Sequence, residues 1–365
     1  MSSPRIRRTE ISLCNILLCL FVVWIHVSSA PISTLDRSSA AYALVYFPWR
    51  LAAFAVQGFF FLSGVKLFMR PAEKFSYRRF WRSRLLRIVL PYLLWVLIYY
   101  IYFVARGYFP FRVGDLLRYA VVGDLSAHFY FVVTILQFYL LMPLWRWMVK
   151  RSDPTVAIVF SLLISLFIAQ NLPNIVALFA PEYYFPYTDR VFPTYLIWWV
   201  AGCFAGAHYD AFCDMLRRRR RALVVLYLVC AAVEGIMGWL HASGRAWIGW
   251  LELWHTGYCA AAILCVLSLA LAVSEKSFAR SALVSRLDAA SWEIFLIHPL
   301  IIQITNGLLS RLGVVRIGAA YLCRIAAVYA VSILLCVGWN MAWDRLKRYI
   351  PFSQNKKIEK GSKTS

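Results

Sequence analysis

Ten apolar stretches, each about long enough to cross a bilayer, recur along the chain with short polar breaks between them. They lie at Ile11–Ala30, Leu51–Met69, Leu85–Val104, Phe129–Val149, Thr155–Phe179, Phe192–Ala207, Ala222–Leu240, Trp250–Val273, Ser291–Leu309 and Gly318–Trp343. A run of about 20 apolar residues rises about 30 Å as a helix, the thickness of the hydrocarbon core. Over 365 residues the chain is 62% hydrophobic and 15% charged, against about 45–50% and about 25% in soluble domains. No soluble fold of this size buries so much apolar surface, so the surplus faces lipid. The expectation is an all-α integral membrane bundle of about ten helices. Residues 1–345 form the transmembrane domain, and 346–365 a short basic cytoplasmic tail.

Charge gives the bundle a direction. The formal net charge is +22, but the basic residues sit in short runs between apolar stretches, which points to lipid headgroups rather than nucleic acid. With both termini on one side, that side collects Arg5, Arg7 and Arg8, the loop Arg70–Arg87, Arg146 to Arg151, Arg217–Arg221, Lys276 to Arg286 and the tail. These hold 28 of the 39 lysines and arginines. The bias sets both termini in the cytoplasm of a multi-pass protein of a cell (inner) membrane. The first run resembles a signal peptide, with basic residues before it and Ser28-Ser29-Ala30 near its end. It is expected to stay as a span, because it is long enough to cross and Pro31 follows the candidate cut. The fifth run carries Gln170-Asn171-Leu172-Pro173-Asn174 and is expected to kink or unwind there. The nine cysteines are scattered singly, without metal-ligand spacing, so neither a disulfide framework nor a metal site is expected.

Ionisable groups are costly inside a bilayer and mark functional sites by default. His26 lies near the outer end of the first span, and Asn15 lies eleven residues earlier. Eleven steps make almost whole helical turns, so both share one face, roughly 16 Å apart along the axis. Position alone also allows a histidine that reaches to the interface. The second span carries Ser63 and Gly64, which permit close helix approach, and then Lys66. Arg78, Arg79, Arg82, Arg84 and Arg87 follow at spacings that put several on one stripe, suited to phosphate or to anionic lipid. His128 opens the fourth span at the depth of His26. His298 lies on the inner side of the ninth. Glu234, Glu252, His241 and His255 gather near the outer ends of spans seven and eight, where solvation of helix ends accounts for them.

In this order and spacing the pieces resemble the bacterial membrane-bound acyltransferase family three, O-acyltransferases of surface glycans and related molecules. They are VVWIH ending at His26, FFFLSG ending at Gly64, RSRLLRIVLP ending at Pro91, HFYFVVTILQFYLLMPL from His128, WWVAGCFAG ending at Gly206 and SWEIFLIHPLII from Ser291. The likeness covers nearly the whole chain. It implies transfer of an acyl group, commonly acetyl, from acyl-CoA as donor substrate, with no bound cofactor, to a hydroxyl of a glycan or lipid-linked saccharide. On that reading His26 is the general base, Arg84, Arg87 and Lys66 bind acyl-CoA, and His128, Glu182 and Asp189 lie on the acceptor side. Ser63, Gly64 and His298 belong to the structural motifs. The family typically has Arg where this chain has Asn15. Lys66, Arg84 or Arg87 then substitutes for it, or the donor binds differently, or activity is lost. An exporter built on the same bundle is the alternative from a different class.

Overall fold

A computed structural model describes residues 8–69, 75–249 and 251–349. Arg5, Arg7, Arg70, the Trp250 start of the eighth run and the tail from residue 350 lie outside the described residues. The described chain is a bundle of helices: α1 Thr9–Thr34, α2 Ala40–Ala52, α3 Phe54–Phe68, α4 Tyr77–Arg84, α5 Leu90–Ala105, α6 Val113–Val122, α7 Tyr130–Leu140, α8 Met142–Arg151, α9 Pro154–Phe179, α10 Leu196–Ala207, α11 Tyr209–Arg218, α12 Arg220–Ala242, α13 Leu251–Ser274, α14 Ala282–Arg311 and α15 Ile317–Tyr349. A π-helical turn, Leu85–Val89, joins α4 to α5. Among the described residues eight helical segments are long and apolar enough to span a membrane. The bent pair α7–α8 makes nine, and the shorter apolar stretch Phe192–Ala207 is the tenth expected run. The chain is a multi-pass membrane protein.

Local chemistry sets the helix starts. Ser39, Ser76, Asp153 and Ser281 each cap a helix by accepting from a backbone N–H of the first turn, which satisfies one of the four donors that a helix start leaves free. Three expected starts move, the third span beginning at Tyr77 rather than Leu85. The second span begins at Ala40 rather than Leu51, continuing through a break at Ala53. The ninth begins at Ala282 rather than Ser291. In all three cases polar and charged side chains lower the hydropathy of turns that are nevertheless helical. The fifth run does not break: α9 continues through Pro173 to Phe179.

Hydrogen bonds fix how the first and last spans lie. Ser12 and Asn15 of α1 bond Asp288 near the start of α14. Ser28, towards the other end of α1, pairs with Tyr321 at the start of α15, and Tyr329 donates to Leu20 O. So α1 and α14 run parallel and α15 antiparallel to both, which puts the two ends of the described chain on one face. That face carries the arginine-rich turns and is called the basic face below.

The core is tightest where α3 crosses α10. A methyl on Gly64 would lie 2.8 Å from Cys203 N and Trp199 O, and one on Gly206 would lie 2.6 Å from Val65 O. A methyl on Gly202 would strike the Phe61 carbonyl. Small residues let the two backbones approach this closely, the usual device where helices associate within lipid.

Two elements are too short to span. With 12 residues α10 rises about 18 Å, and α7 has 11 residues before a 60° bend into α8. The non-helical segments before them therefore reach into the bundle, which membrane proteins tolerate only where the backbone finds protein partners. It does so here. Gln137 of α7 donates to Arg190 O at 2.6 Å and accepts from Phe192 N at 3.0 Å. Ser165 of α9 donates to Pro193 O and accepts from Ile197 N. Thr194 donates to Thr188 O at 2.7 Å.

Candidate functional site

The parallel course of α1 and α14 sets two matched pairs side by side. Each helix carries a polar residue near the basic face and a histidine further in: Asn15 and His26 on α1, Asp288 and His298 on α14. The spacings, eleven and ten residues, are each roughly 15–16 Å of rise. His298 is therefore level with His26, not on the inner side as its sequence position suggested. It sits sixteen residues beyond Ala282, because α14 starts two and a half turns earlier than hydropathy indicated.

His26, His128 and His298 form a cluster. Ring centroids are 5.2 Å apart for His26 and His298, 6.2 Å for His26 and His128, and 5.4 Å for His128 and His298. His128 is 1% exposed and His298 0% exposed, whereas His26 is only partly buried. Of the three residues, His26 is the least buried. The His298 Nδ1 donates to Ile294 O at 3.1 Å, which leaves Nε2 as the acceptor, and His128 Nδ1 pairs with Ser126 Oγ at 3.1 Å. Among the described residues no group of three or more His, Cys, Asp or Glu is arranged to hold a metal ion.

Tyr99 holds this cluster from α5. Its ring centroid is 5.8 Å from that of His128, and its hydroxyl donates to Leu296 O at 2.9 Å while accepting from Leu300 N at 2.8 Å. Those two groups would pair with each other in an unbroken helix. Pro299 has no N–H to give to α14, and the Tyr99 hydroxyl is inserted at that turn, a recognised cause of a local opening in a helix.

Towards the basic face a cavity of about 240 Å³ opens among α1, α3, α7 and α14. Its lining includes Asn15, Ser63, Lys66, Arg87, Tyr139 and Ser291 as polar residues, and Phe59, Phe131, Trp292 and Phe295 as aromatic ones. Lys66 Nζ donates to Asn15 Oδ1 at 2.9 Å, Asn15 Nδ2 donates to Asp288 Oδ1 at 3.0 Å, and Ser12 Oγ donates to Asp288 Oδ2 at 2.6 Å. Phe59, Phe131 and Phe295 pack on one another at centroid distances of 5.6–6.4 Å. Phe295 in turn lies 5.2 Å from His128 and 6.2 Å from His298. An aromatic collar thus stands between a cationic cavity and the three histidines.

The family model of the acyltransferase domain, family three, matches residues 9–339. The chain belongs to this acyltransferase family. It is an enzyme that transfers acyl groups, and the match runs from the first turn of α1 into α15, so every element that lines the cavity and the histidine cluster belongs to the acyltransferase domain. Neither a curated protein nor a solved structure matches the chain.

Within the acyltransferase the expected site residues separate into groups. His26, His128 and His298 come together, and Ser63, Lys66 and Arg87 share the cavity. Arg84 stands behind that wall: its guanidinium lies 4.9 Å from the Phe80 ring centroid and 5.0 Å from that of Tyr139. Gly64 belongs to the α3–α10 crossing rather than to the cavity. Asp189 lies in the segment that dips beside α7, paired with Arg190 at 3.0 Å. Glu182 is exposed in the turn after α9 and is not brought to the histidines. Glu234 and His255 form a separate cluster with Arg50 and Cys259, binding α2, α12 and α13 together.

Three contributors were not singled out from sequence. Asp288, Tyr99 and the Phe59–Phe131–Phe295 collar act through contacts between distant segments. Only Asp288 leaves a trace in the chain: a carboxylate ten residues before a histidine, echoing the Asn15–His26 spacing.

Proposed function

We propose that this acyltransferase takes its acyl group from acyl-CoA at the basic face, taken as cytoplasmic, and passes it to a hydroxyl of a glycan or lipid-linked saccharide. The carrying observation is the alignment of the Lys66–Arg87 cavity, the aromatic collar and the His26 cluster along one path through the bundle. A 240 Å³ space accommodates a pantetheine arm and not a whole nucleotide thioester. The phosphates are therefore left at the mouth, where Arg87 and Lys66 meet them. A second cavity of about 350 Å³ lies on the basic face between the ends of α3, α8 and α10 and the start of α11, where Arg8, Arg146 and Lys150 outnumber one carboxylate, Asp210, which pairs with Arg8. It suits the nucleotide end.

Lys66 supplies the cationic charge at the level where relatives typically have arginine and this chain has Asn15. On this reading Asn15 holds the ammonium, and Asp288 orients Asn15.

His26 then acts as general base, a task for which a neutral imidazole is suited because one ring nitrogen keeps a free acceptor lone pair. The acceptor hydroxyl gives its proton to a His26 ring nitrogen as its oxygen bonds to the thioester carbonyl carbon. The tetrahedral intermediate collapses, the carbon–sulfur bond breaks, and the His26 proton passes to the departing CoA sulfur. The products are an ester and CoA thiol. His128 and His298, with Tyr99 behind them, set the ring that does this. Asp189 and the dipping segment 180–195 line the approach of the acceptor from the opposite face.

Surface glycans from a deletion strain, analysed by mass spectrometry, provide the test. The expected result is loss of an ester without loss of polymer, restored by the wild-type chain and not by His26→Ala at equal expression. Full restoration by His26→Ala would overturn the role of His26. Loss of polymer with ester content unchanged would overturn the enzyme reading in favour of export.

A further inference from the structure

The arginine cluster between α3 and α5 is not one surface. The π-turn at Leu85–Val89 divides it, as such turns do by inserting a residue that shifts everything after it around the axis. Arg84 turns onto Phe80 and Tyr139, and Arg87 lines the donor cavity. Arg78, Arg79 and Arg82 do neither. They line a recess of about 650 Å³ with Ser76, Trp81 and Leu85, in which no carboxylate of the described residues takes part. The two cavities have no lining residue in common: they meet only at the π-turn, where Leu85 faces the recess and Arg87 and Ile88 face the donor cavity.

What lies beneath the recess identifies its occupant. Leu86 in the π-turn is exposed, and beyond it Leu90, Leu93, Leu97 and Ile101 are exposed at spacings of three, four and four, a single stripe. With Leu86 this apolar surface starts beside the arginines and runs roughly 22 Å along the helix, more than the depth of one leaflet. Three guanidinium groups and an indole at the basic face, above an apolar stripe of acyl-chain length, match the two ends of one molecule. A free nucleotide or an inorganic phosphate has no use for the stripe.

We infer that Arg78, Arg79, Arg82 and Trp81 form a binding site for one anionic phospholipid, its headgroup in the recess and an acyl chain along Leu86 to Ile101. Guanidinium forks bind the phosphate oxygens, the indole sits at headgroup level as tryptophan does in membrane proteins, and the three clustered positive charges favour a headgroup with net negative charge. The site also has a structural consequence. The Tyr77 hydroxyl donates to Leu140 O at the bend between α7 and α8. A lipid that holds α4 thus steadies the wall on which Arg84 and Tyr139 lie. The inference does not depend on the identity of the donor or acceptor.

Native mass spectrometry of the full chain, extracted and exchanged into equal amounts of phosphatidylglycerol and phosphatidylcholine, tests it. The wild type is expected to retain one phosphatidylglycerol in preference. The triple variant Arg78→Gln, Arg79→Gln, Arg82→Gln is expected to lose that preference, by roughly fivefold per arginine removed. Should the triple variant not survive extraction, Arg79→Gln alone carries the comparison with a proportionately smaller loss. Equal retention of both lipids by the wild type, or equal preference in wild type and variant, overturns the site. Displacement of phosphatidylglycerol by adenosine 3′,5′-bisphosphate also overturns it, because the recess would then belong to the nucleotide of the donor.

Discussion

The ammonium of Lys66 on α3 lies 2.9 Å from the side-chain oxygen of Asn15 on α1, and the other end of that same amide is bound to Asp288 on α14. One asparagine therefore joins a cation and an anion across three helices, in the lining of the cavity that also holds Arg87. An arginine at position 15 would carry its own charge to this level and have no acceptor for Lys66. With Asn15 the charge comes from α3 instead, and the polarity of the amide lets it bridge both partners.

The relationship predicts a reciprocal pair of substitutions. Lys66→Met should raise the KM for acyl-CoA by about tenfold to a hundredfold, the equivalent of a lost hydrogen bond to a charged group, with a smaller effect on kcat. Adding Asn15→Arg to Lys66→Met should recover part of the loss, because the new guanidinium has Asp288 as partner and the cavity as its outlet. Asn15→Arg alone sets two cations together and should be worse than the double variant. Initial rates in membranes with varied acetyl-CoA check all three. A double variant no better than Lys66→Met would show that charge at this level is not what the donor requires.

A second prediction concerns the histidine cluster. His26→Ala should lower acyl transfer by about 10²–10⁴-fold, the usual span for a general base, while the donor KM stays within a factor of a few. The same readout distinguishes base from binder. A large rise in KM with kcat retained would move His26 to the donor site. His128 and His298 are buried, so their alanine variants should lower thermal stability as well as rate, by about the 1–3 kcal/mol that unmade buried polar contacts cost.

How much of this was legible in the chain depends on whether a residue acts within its own helix or across helices. Apolar runs of spanning length declare themselves, because lipid imposes the same requirement on every one, and the depth of His26 follows from counting residues. His298 was misplaced for a local reason: Arg286 and Asp288 make the first turns of α14 look like loop. Those charges are tolerated because Asp288 meets Ser12 and Asn15, a fact held by α1 and not by α14. At Pro173 the expectation of an unwound end fails, since α9 stays helical past it to Phe179. Spacings of three and four put several of Arg78, Arg79, Arg82, Arg84 and Arg87 on one stripe only in an uninterrupted α-helix, and the sequence carries no sign of the π-turn at Leu85–Val89.

Tyr99 offers a third prediction, independent of any titration. Tyr99→Phe keeps the ring beside His128 and removes only the oxygen between Leu296 O and Leu300 N. Either α14 closes at that turn or both groups stay unpaired in a buried site. The second course costs about 1–3 kcal/mol. The first would shift the turn that carries His298 relative to His26. Both outcomes lower kcat. The donor KM should not change, because the cavity lining does not include Tyr99. The thermal midpoint separates the two courses: it falls if the groups stay unpaired and holds if the helix closes. Wild-type kcat in Tyr99→Phe would show that the hydroxyl has no bearing on how the histidines are set.

The last prediction addresses the frame on which the cavity is hung. The α3–α10 crossing places Phe61, Ser63 and Lys66 at fixed heights, and it depends on three glycines whose missing methyls are replaced by opposing backbone. Backbone cannot rotate away as a side chain can, so Gly202→Ala must push α3 and α10 apart. Overpacking of this kind typically costs about 1–3 kcal/mol, and here it is concentrated beneath the cavity. Gly202→Ala should therefore lower the thermal midpoint in detergent and raise the donor KM together, since spreading α3 from α10 also moves Lys66 against Asn15. Gly257→Ala on α13 is the control. A methyl there meets nothing within 4 Å, and it should leave both quantities unchanged. If Gly202→Ala behaves like Gly257→Ala, the crossing is looser than its backbone contacts require, and the height of Lys66 is set by Asn15 and Asp288 alone.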